Sequence, residues 1–137
     1  MAQYSILVDS SIWIQCLKEG NSILRQHLDR LLLDDRVAIC GPIKAEILSG
    51  ALTLVDFHKL SNWFEGLQNL SIDDEKIWDI IAEKRFKLAR KGIQLKLIDL
   101  LIACIAHEHH VPVWSLDEDF KKMIDIIPVK IYRFDDK

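Results

Sequence analysis

Short apolar runs alternate along this chain with stretches that repeat their apolar residues at helical spacing, and that alternation restricts the fold more than any other feature. Residues 5–8 (S-I-L-V), 37–40 (V-A-I-C), 112–116 (P-V-W-S-L) and 129–134 (V-K-I-Y-R-F) read as strands, with Leu70-Ser71-Ile72 as a further short one. A run without polar alternation is apolar on both faces, as a strand inside a parallel sheet must be. Such strands, separated by helices, build a mostly parallel sheet covered on both sides. The expected fold is therefore α/β, a three-layer α/β/α arrangement around a sheet of about four to five strands.

The helix signals fill the gaps. Asp9-Ser10-Ser11 marks a helix start before Ile12-Trp13-Ile14. Asn21 is placed to cap a second helix, where Ile23, Leu24, Leu28, Leu31 and Leu32 repeat at helical spacing. Gly41-Pro42 ends the second strand and puts Pro42 in the first turn of a helix over 43–51. Further helices are expected over 53–67, over 75–91 with Asp73 and Asp74 at its start and Gly92 as its stop, over 96–109, and over 117–124.

With 137 residues the chain has the size of one ordinary domain, expected over 1–137. Half of its residues are hydrophobic and 28% are charged, the composition of a soluble globular protein. No apolar run approaches the roughly 20 residues that span a bilayer, and no basic segment precedes the first strand. Cys16, Cys40 and Cys104 sit in apolar stretches without a C-x-x-C pair, which suits reduced thiols and a cytoplasmic location. A net charge of -3 argues against a broad, sequence-independent grip on duplex DNA, while a local basic face stays compatible with it.

In parallel sheets ligands gather at the carboxyl ends of strands, and there Asp9 and Asp117 fall. Asp99 is the most informative acid. Leu95, Ile102, Ala103 and Ala106 surround it at helical offsets, so its carboxylate points into an apolar face. A buried carboxylate must be paired, hydrogen-bonded, protonated or bound to metal, and Lys96 is the ordinary pairing candidate. Each other acid also has a plain structural reading: Asp9 as a helix cap, Glu46 as an exposed early-helix charge, Asp117 and Asp119 as charges in the first turn of a helix. As a set, oxygen-rich acids select hard cations such as Mg²⁺ or Mn²⁺ over zinc.

The stretches V-D-S-S-I-W-I, A-E-I-L-S-G, A-E-K-R-F-K-L-A-R-K-G-I-Q-L-K-L-I-D-L-L-I-A-C-I-A and V-W-S-L-D-E-D-F resemble, in order and spacing, the successive motifs of PIN-domain nucleases. The resemblance covers nearly the whole chain, and the compact size is similar to the VapC-like branch. It implies a PIN-like fold and a Mg²⁺- or Mn²⁺-dependent ribonuclease. The catalytic and metal-holding acids it implies are Asp9, Glu46, Asp99 and Asp117, with Asp119 as the alternative fourth acid. It also implies an RNA substrate, a homodimer, and a VapB-like antitoxin whose C-terminal segment obstructs the site. A PIN nuclease of RNA maturation and an inactive PIN-like binding module are the alternatives. A receiver-type phosphotransfer protein would need an additional acidic pair near the first strand, which 5–8 does not offer.

Positive charge concentrates ahead of Asp99, in Lys84, Arg85, Lys87, Arg90, Lys91 and Lys96. Of these, Arg85, Lys87, Arg90, Lys91 and Lys96 are candidate RNA contacts, set against their alternative as a solvated helix face. Ser10 and Ser115 are candidate polar neighbours of the acids. His107-Glu108-His109-His110 lacks the spacing of a zinc motif and reads as a cationic helix end. Trp63, Phe64, Trp78 and Trp114 are expected mainly to pack the core.

Overall fold

The computed structural model describes residues 4–134. Four parallel strands, β1 (Ile6–Val8), β2 (Val37–Cys40), β3 (Gln68–Leu70) and β4 (Val113–Trp114), form one sheet in the order β3-β2-β1-β4. Every residue of β1, β2 and β4 is buried, which is why these runs carry no polar alternation. Helices α1 (Ser10–Glu19) and α2 (Ile23–Leu33) connect β1 to β2. Helices α3 (Gly41–Ser49) and α4 (Leu54–Glu65) connect β2 to β3, and α5 (Ile77–Arg90) and α6 (Leu97–Glu108) return the chain to β4. The short α7 (Asp119–Lys122) follows β4. The expected α/β/α arrangement with a mostly parallel sheet is present. Among the described residues, no helix is long and apolar enough to cross a membrane.

The connections carry the chain from β1 outward to β2 and β3, and then back past β1 to β4. The strand order reverses at β1, so the carboxyl ends of β1 and β4 open a crevice between neighbouring strands. The apolar cores of α1, α3 and α6 pack together beside this point.

Four local expectations are corrected. The strand expected at 70–72 lies at Gln68–Leu70, paired with β2 through Ala38 and Gln68, Ile39 and Asn69, and Cys40 and Leu70. As an edge strand it exposes Gln68 and Asn69, so polarity conceals it in the sequence. The strand expected over 129–134 is a single bridge between Val113 and Ile131. Val113 spends both backbone groups on this segment, accepting from Tyr132 N and donating to Lys130 O. The residues two on either side cannot extend the ladder. Val111 N donates to Ala106 O at the end of α6, and Ser115 turns into the crevice. The segment is held instead by Tyr132 and Phe134, which stack on His27 of α2, with Trp114 edge-on.

The third correction concerns two tryptophans. Phe64 and Trp114 are buried, whereas Trp63 is 45% exposed and Trp78 is 56% exposed. Trp63 lays its ring edge-on against buried Trp13 at 5.2 Å, and Trp78 lies on the outer side of α5. Helix caps shift by a residue or two. Ser22, not Asn21, caps α2 by accepting from Arg25 N, and Asp74 accepts from Lys76 N in a turn ahead of α5.

Helix α5 ends as Gly92 predicts. With φ at 80°, Gly92 N donates to Ala89 O and Ile93 N to Leu88 O, the paired bonds of a Schellman stop. Helix α6 closes with the same pair of bonds, but the residue in the left-handed region is His110 at φ 56°. A side chain there carries a conformational cost that glycine avoids. His110→Gly is expected to raise unfolding stability by about 0.5–1 kcal/mol, and Gly92→Ala to lower it by about 1 kcal/mol. Chemical denaturation of the two variants beside wild type checks both signs.

Candidate active site

Asp9 leaves the end of β1, and its N–H donates to Trp114 O at 2.9 Å, joining the two strand ends. As the N-cap of α1 it accepts weakly from Ser11 N at 3.4 Å. Its stronger partners are hydroxyls. Ser11 Oγ donates to Asp9 Oδ2 at 2.8 Å, and Ser115 Oγ donates to the same oxygen at 2.7 Å. The two hydroxyls also lie 3.1 Å apart. Each accepts from the β4 loop: Leu116 N donates to Ser11 Oγ and Asp117 N to Ser115 Oγ. Asp117 Oδ1 then accepts from Asp119 N, fixing the next turn.

Ser115 was legible as a polar neighbour of the acids. Ser11 was not, because a second serine after a strand looks like ordinary capping. Ser10 makes a longer contact, donating to Glu46 Oε1 at 3.4 Å.

Asp99 stands in the first turn of α6 and is only 8% exposed. Its Oδ2 is buried with no hydrogen-bond partner among the described residues, and Lys96 forms no ion pair with it. Burial, with the charges of Asp117, Asp9 and Asp119 behind it, raises the Asp99 pKa from its ordinary 3.8 to about 6, against a smaller pull from Lys96. Carboxylate oxygens of Asp99, Asp117 and Asp119 lie within 4.8 Å of one another. Asp117 and Asp119, weighed as alternatives in the sequence, therefore both approach Asp99. Asp119 also pairs with Lys122 at 3.3 Å.

Glu46 on α3 completes the acidic wall. The residue as a whole is exposed, yet its carboxyl lines the crevice, where partial burial and then the Asp9 charge raise its pKa. The resulting cleft, about 580 Å³, brings Asp9, Glu46, Asp99 and Asp117 together. Of the basic candidates, Arg85 and Lys96 line it as well, while Lys87, Arg90 and Lys91 do not. His107–His110 join no group of metal-ligating atoms among the described residues. His109 instead bonds Ser71 O, tying the end of α6 to the loop after β3.

A carboxylate oxygen buried without a donor is expensive, and like charges facing it add to the cost. A hard divalent cation removes both penalties, and the donor set is all oxygen. The pH dependence follows from the same arrangement. Asp99 holds its proton more tightly folded than unfolded, so its contribution to stability is complete below pH 3.8 and is lost as pH rises through about 6. In chelator, Asp99→Asn is expected to melt above wild type at pH 7.5, with the difference shrinking toward pH 4. An equal difference at both pH values would rule out this origin.

Residues 6–125 match the protein family described as PIN domain. Ribonuclease VapC11 from Mycobacterium tuberculosis is 35% identical over 118 residues, which cover 84% of this chain and 88% of that protein. Ribonuclease VapC5 from the same organism is 30% identical over 79% of this chain and 84% of the relative. Among solved structures, DNA-bound VapBC from Salmonella typhimurium contains a chain that superposes with a TM-score of 0.73 at 21% identity, over 95% of this chain and 98% of that one. VapBC-5 from Mycobacterium tuberculosis gives a TM-score of 0.62 at 25% identity, over 96% and 100%. The strand reversal, the acids gathered beside it and these likenesses agree, and the chain belongs to the PIN-domain family, alongside the VapC ribonucleases.

Proposed function

We propose that this protein is a Mg²⁺- or Mn²⁺-dependent endoribonuclease, the toxin of a VapBC-type pair, with Asp9, Glu46, Asp99 and Asp117 as its catalytic acids. The observation that carries the reading is Asp99, whose Oδ2 is buried without a hydrogen-bond partner among the described residues and whose carboxylate lies beside those of Asp117 and Asp119. An inert binding module gains nothing from that expense. The VapC relatives are named as ribonucleases, and the solved VapBC structures pair a similar chain with an antitoxin, so RNA is the substrate and a VapB-like protein the partner. The family resemblance extends the proposal to a homodimer in the cytoplasm.

Asp99, Asp117 and Asp119 would hold the cation, with Asp9 beside them. When bound, the ion lowers the pKa of water and offsets charge on phosphoryl oxygens. The chain supplies orientation and a proton acceptor. Asp9 lines the cleft with Oδ2 occupied by two hydroxyls, which fixes the plane of its carboxylate. Glu46, with its raised pKa, takes the proton from the incoming water at Oε. Water oxygen bonds to phosphorus as the phosphorus–ribose oxygen bond breaks; the leaving oxygen takes a proton from solvent, and Glu46 returns its own to solvent.

Structured RNAs incubated with the protein should be cut with Mg²⁺ or Mn²⁺ and left intact in chelator, and Asp9→Asn or Asp99→Asn should slow cutting by at least about 100-fold. Cleavage that persists in chelator or in the variants would exclude this mechanism. Expression should arrest growth, and the same substitutions should relieve the arrest. Ser115→Ala should weaken Mn²⁺ binding about tenfold in a calorimetric titration, because it frees Asp9 and the Asp117 loop together. Unchanged affinity would reduce Ser115 to a packing role.

A further inference from the structure

The cleft wall is not uniformly acidic. Arg85 of α5 and Lys96, the N-cap of α6, line it beside the carboxylates. Three of their neighbours in the basic stretch are otherwise engaged. Lys87 pairs with Glu83 at 2.8 Å, the Arg90 guanidinium lies 4.4 Å over the Phe86 ring, and Lys84 lines a separate cavity with Cys104 and His107.

Arg85 is held by one bond. Its Nε donates to Leu95 O at 3.1 Å, across the turn between α5 and α6, which fixes the guanidinium and leaves four of its five N–H donors uncommitted. Neither Arg85 nor Lys96 forms an ion pair among the described residues, although both share a cleft with acids. An arginine anchored by its backbone-facing edge presents the paired Nη edge that matches a phosphate. The site also needs such a group. One divalent cation offsets only two of the charges on Asp9, Glu46, Asp99 and Asp117, so the carboxylates of the loaded cleft still repel a polyanion.

We propose that Arg85, supported by Lys96, binds a backbone phosphate of the RNA adjacent to the one being cut and so positions the strand over the acids. The inference rests on the ribonuclease reading, and it separates this pair from the rest of the basic stretch. Arg85 is thus a substrate-binding residue without a share in proton transfer.

The test compares Arg85→Gln, which removes the charge and keeps an amide donor, with Lys96→Gln and with Lys84→Gln. The last makes the same change of charge on the same helix, outside the cleft. Binding of a labelled phosphorothioate RNA oligonucleotide is followed by anisotropy in Mg²⁺ between about 50 and 200 mM salt. Steady-state cleavage of the unmodified RNA, Mn²⁺ affinity and melting temperature are measured alongside. Arg85→Gln should weaken binding about tenfold, reduce the salt slope by about 0.7–1, and raise KM far more than it lowers kcat. Lys96→Gln should follow it more weakly, and Lys84→Gln should stay near wild type.

The proposal is overturned if Arg85→Gln matches Lys84→Gln in slope and KM. It is equally overturned if the loss tracks a lower melting temperature or weaker Mn²⁺ binding, since Arg85 would then act through its tether to Leu95. Failure of the ribonuclease reading looks different: wild type would bind the oligonucleotide and cut nothing, and the binding comparison would still decide for or against Arg85.

Discussion

The hydrogen bond from Asp9 N to Trp114 O joins two strand ends that are more than a hundred residues apart in sequence. It exists because the chain adds β2 and β3 on one side of β1 and then returns to place β4 on the other. No helix connects β1 directly to β4, so the ground above their carboxyl ends is left uncovered. Asp9 and Ser115 stand at that opening, while α3 and α6 bring Glu46 and Asp99 to it from the flanks. Were β4 one place further out, the four acids would remain in the chain and no longer share a site.

The electrostatics of the opening oppose the fold that creates it. Asp99 is driven into an apolar layer by its neighbours on α6, and the charges of like sign that it meets there outweigh the pull of Lys96. Two serine hydroxyls relieve one carboxylate, Asp9, and leave Asp99 unrelieved. The core compensates for this local cost through a sheet whose central strands are sealed on both faces. Burial is concentrated in β1, β2 and α6, the elements that must stay rigid if the acids are to keep their separations.

Much of this was legible in the sequence because the decisive signals are local. Asp99 stood out since an apolar helix face explains its neighbours and cannot explain the acid. Asp9 reads both as a helix cap and as a candidate site residue; it makes the cap contact and lines the cleft. Other features depend on partners remote in sequence. Ser11 matters through Ser115, and nothing near Ser11 announces that contact. Which lysines and arginines face the acids depends on how α5 is rotated against α6, and a run of basic residues does not encode that angle. The final strand failed for a similar reason: its alternation is good, but the partner strand has only one residue free to pair with it.

That single pairing residue has a further effect. A parallel sheet with so apolar a centre invites intermolecular strand addition wherever a long edge is left unpaired. On the β4 side, Val113 already has both backbone groups committed, and aromatic side chains from the last segment cover the flank. On the other side, β3 presents only three residues, two of them polar and exposed. Among the described residues, neither border offers a long template for another chain, an arrangement that lets hydrophobicity gather in the middle of the sheet while limiting strand addition at its edges.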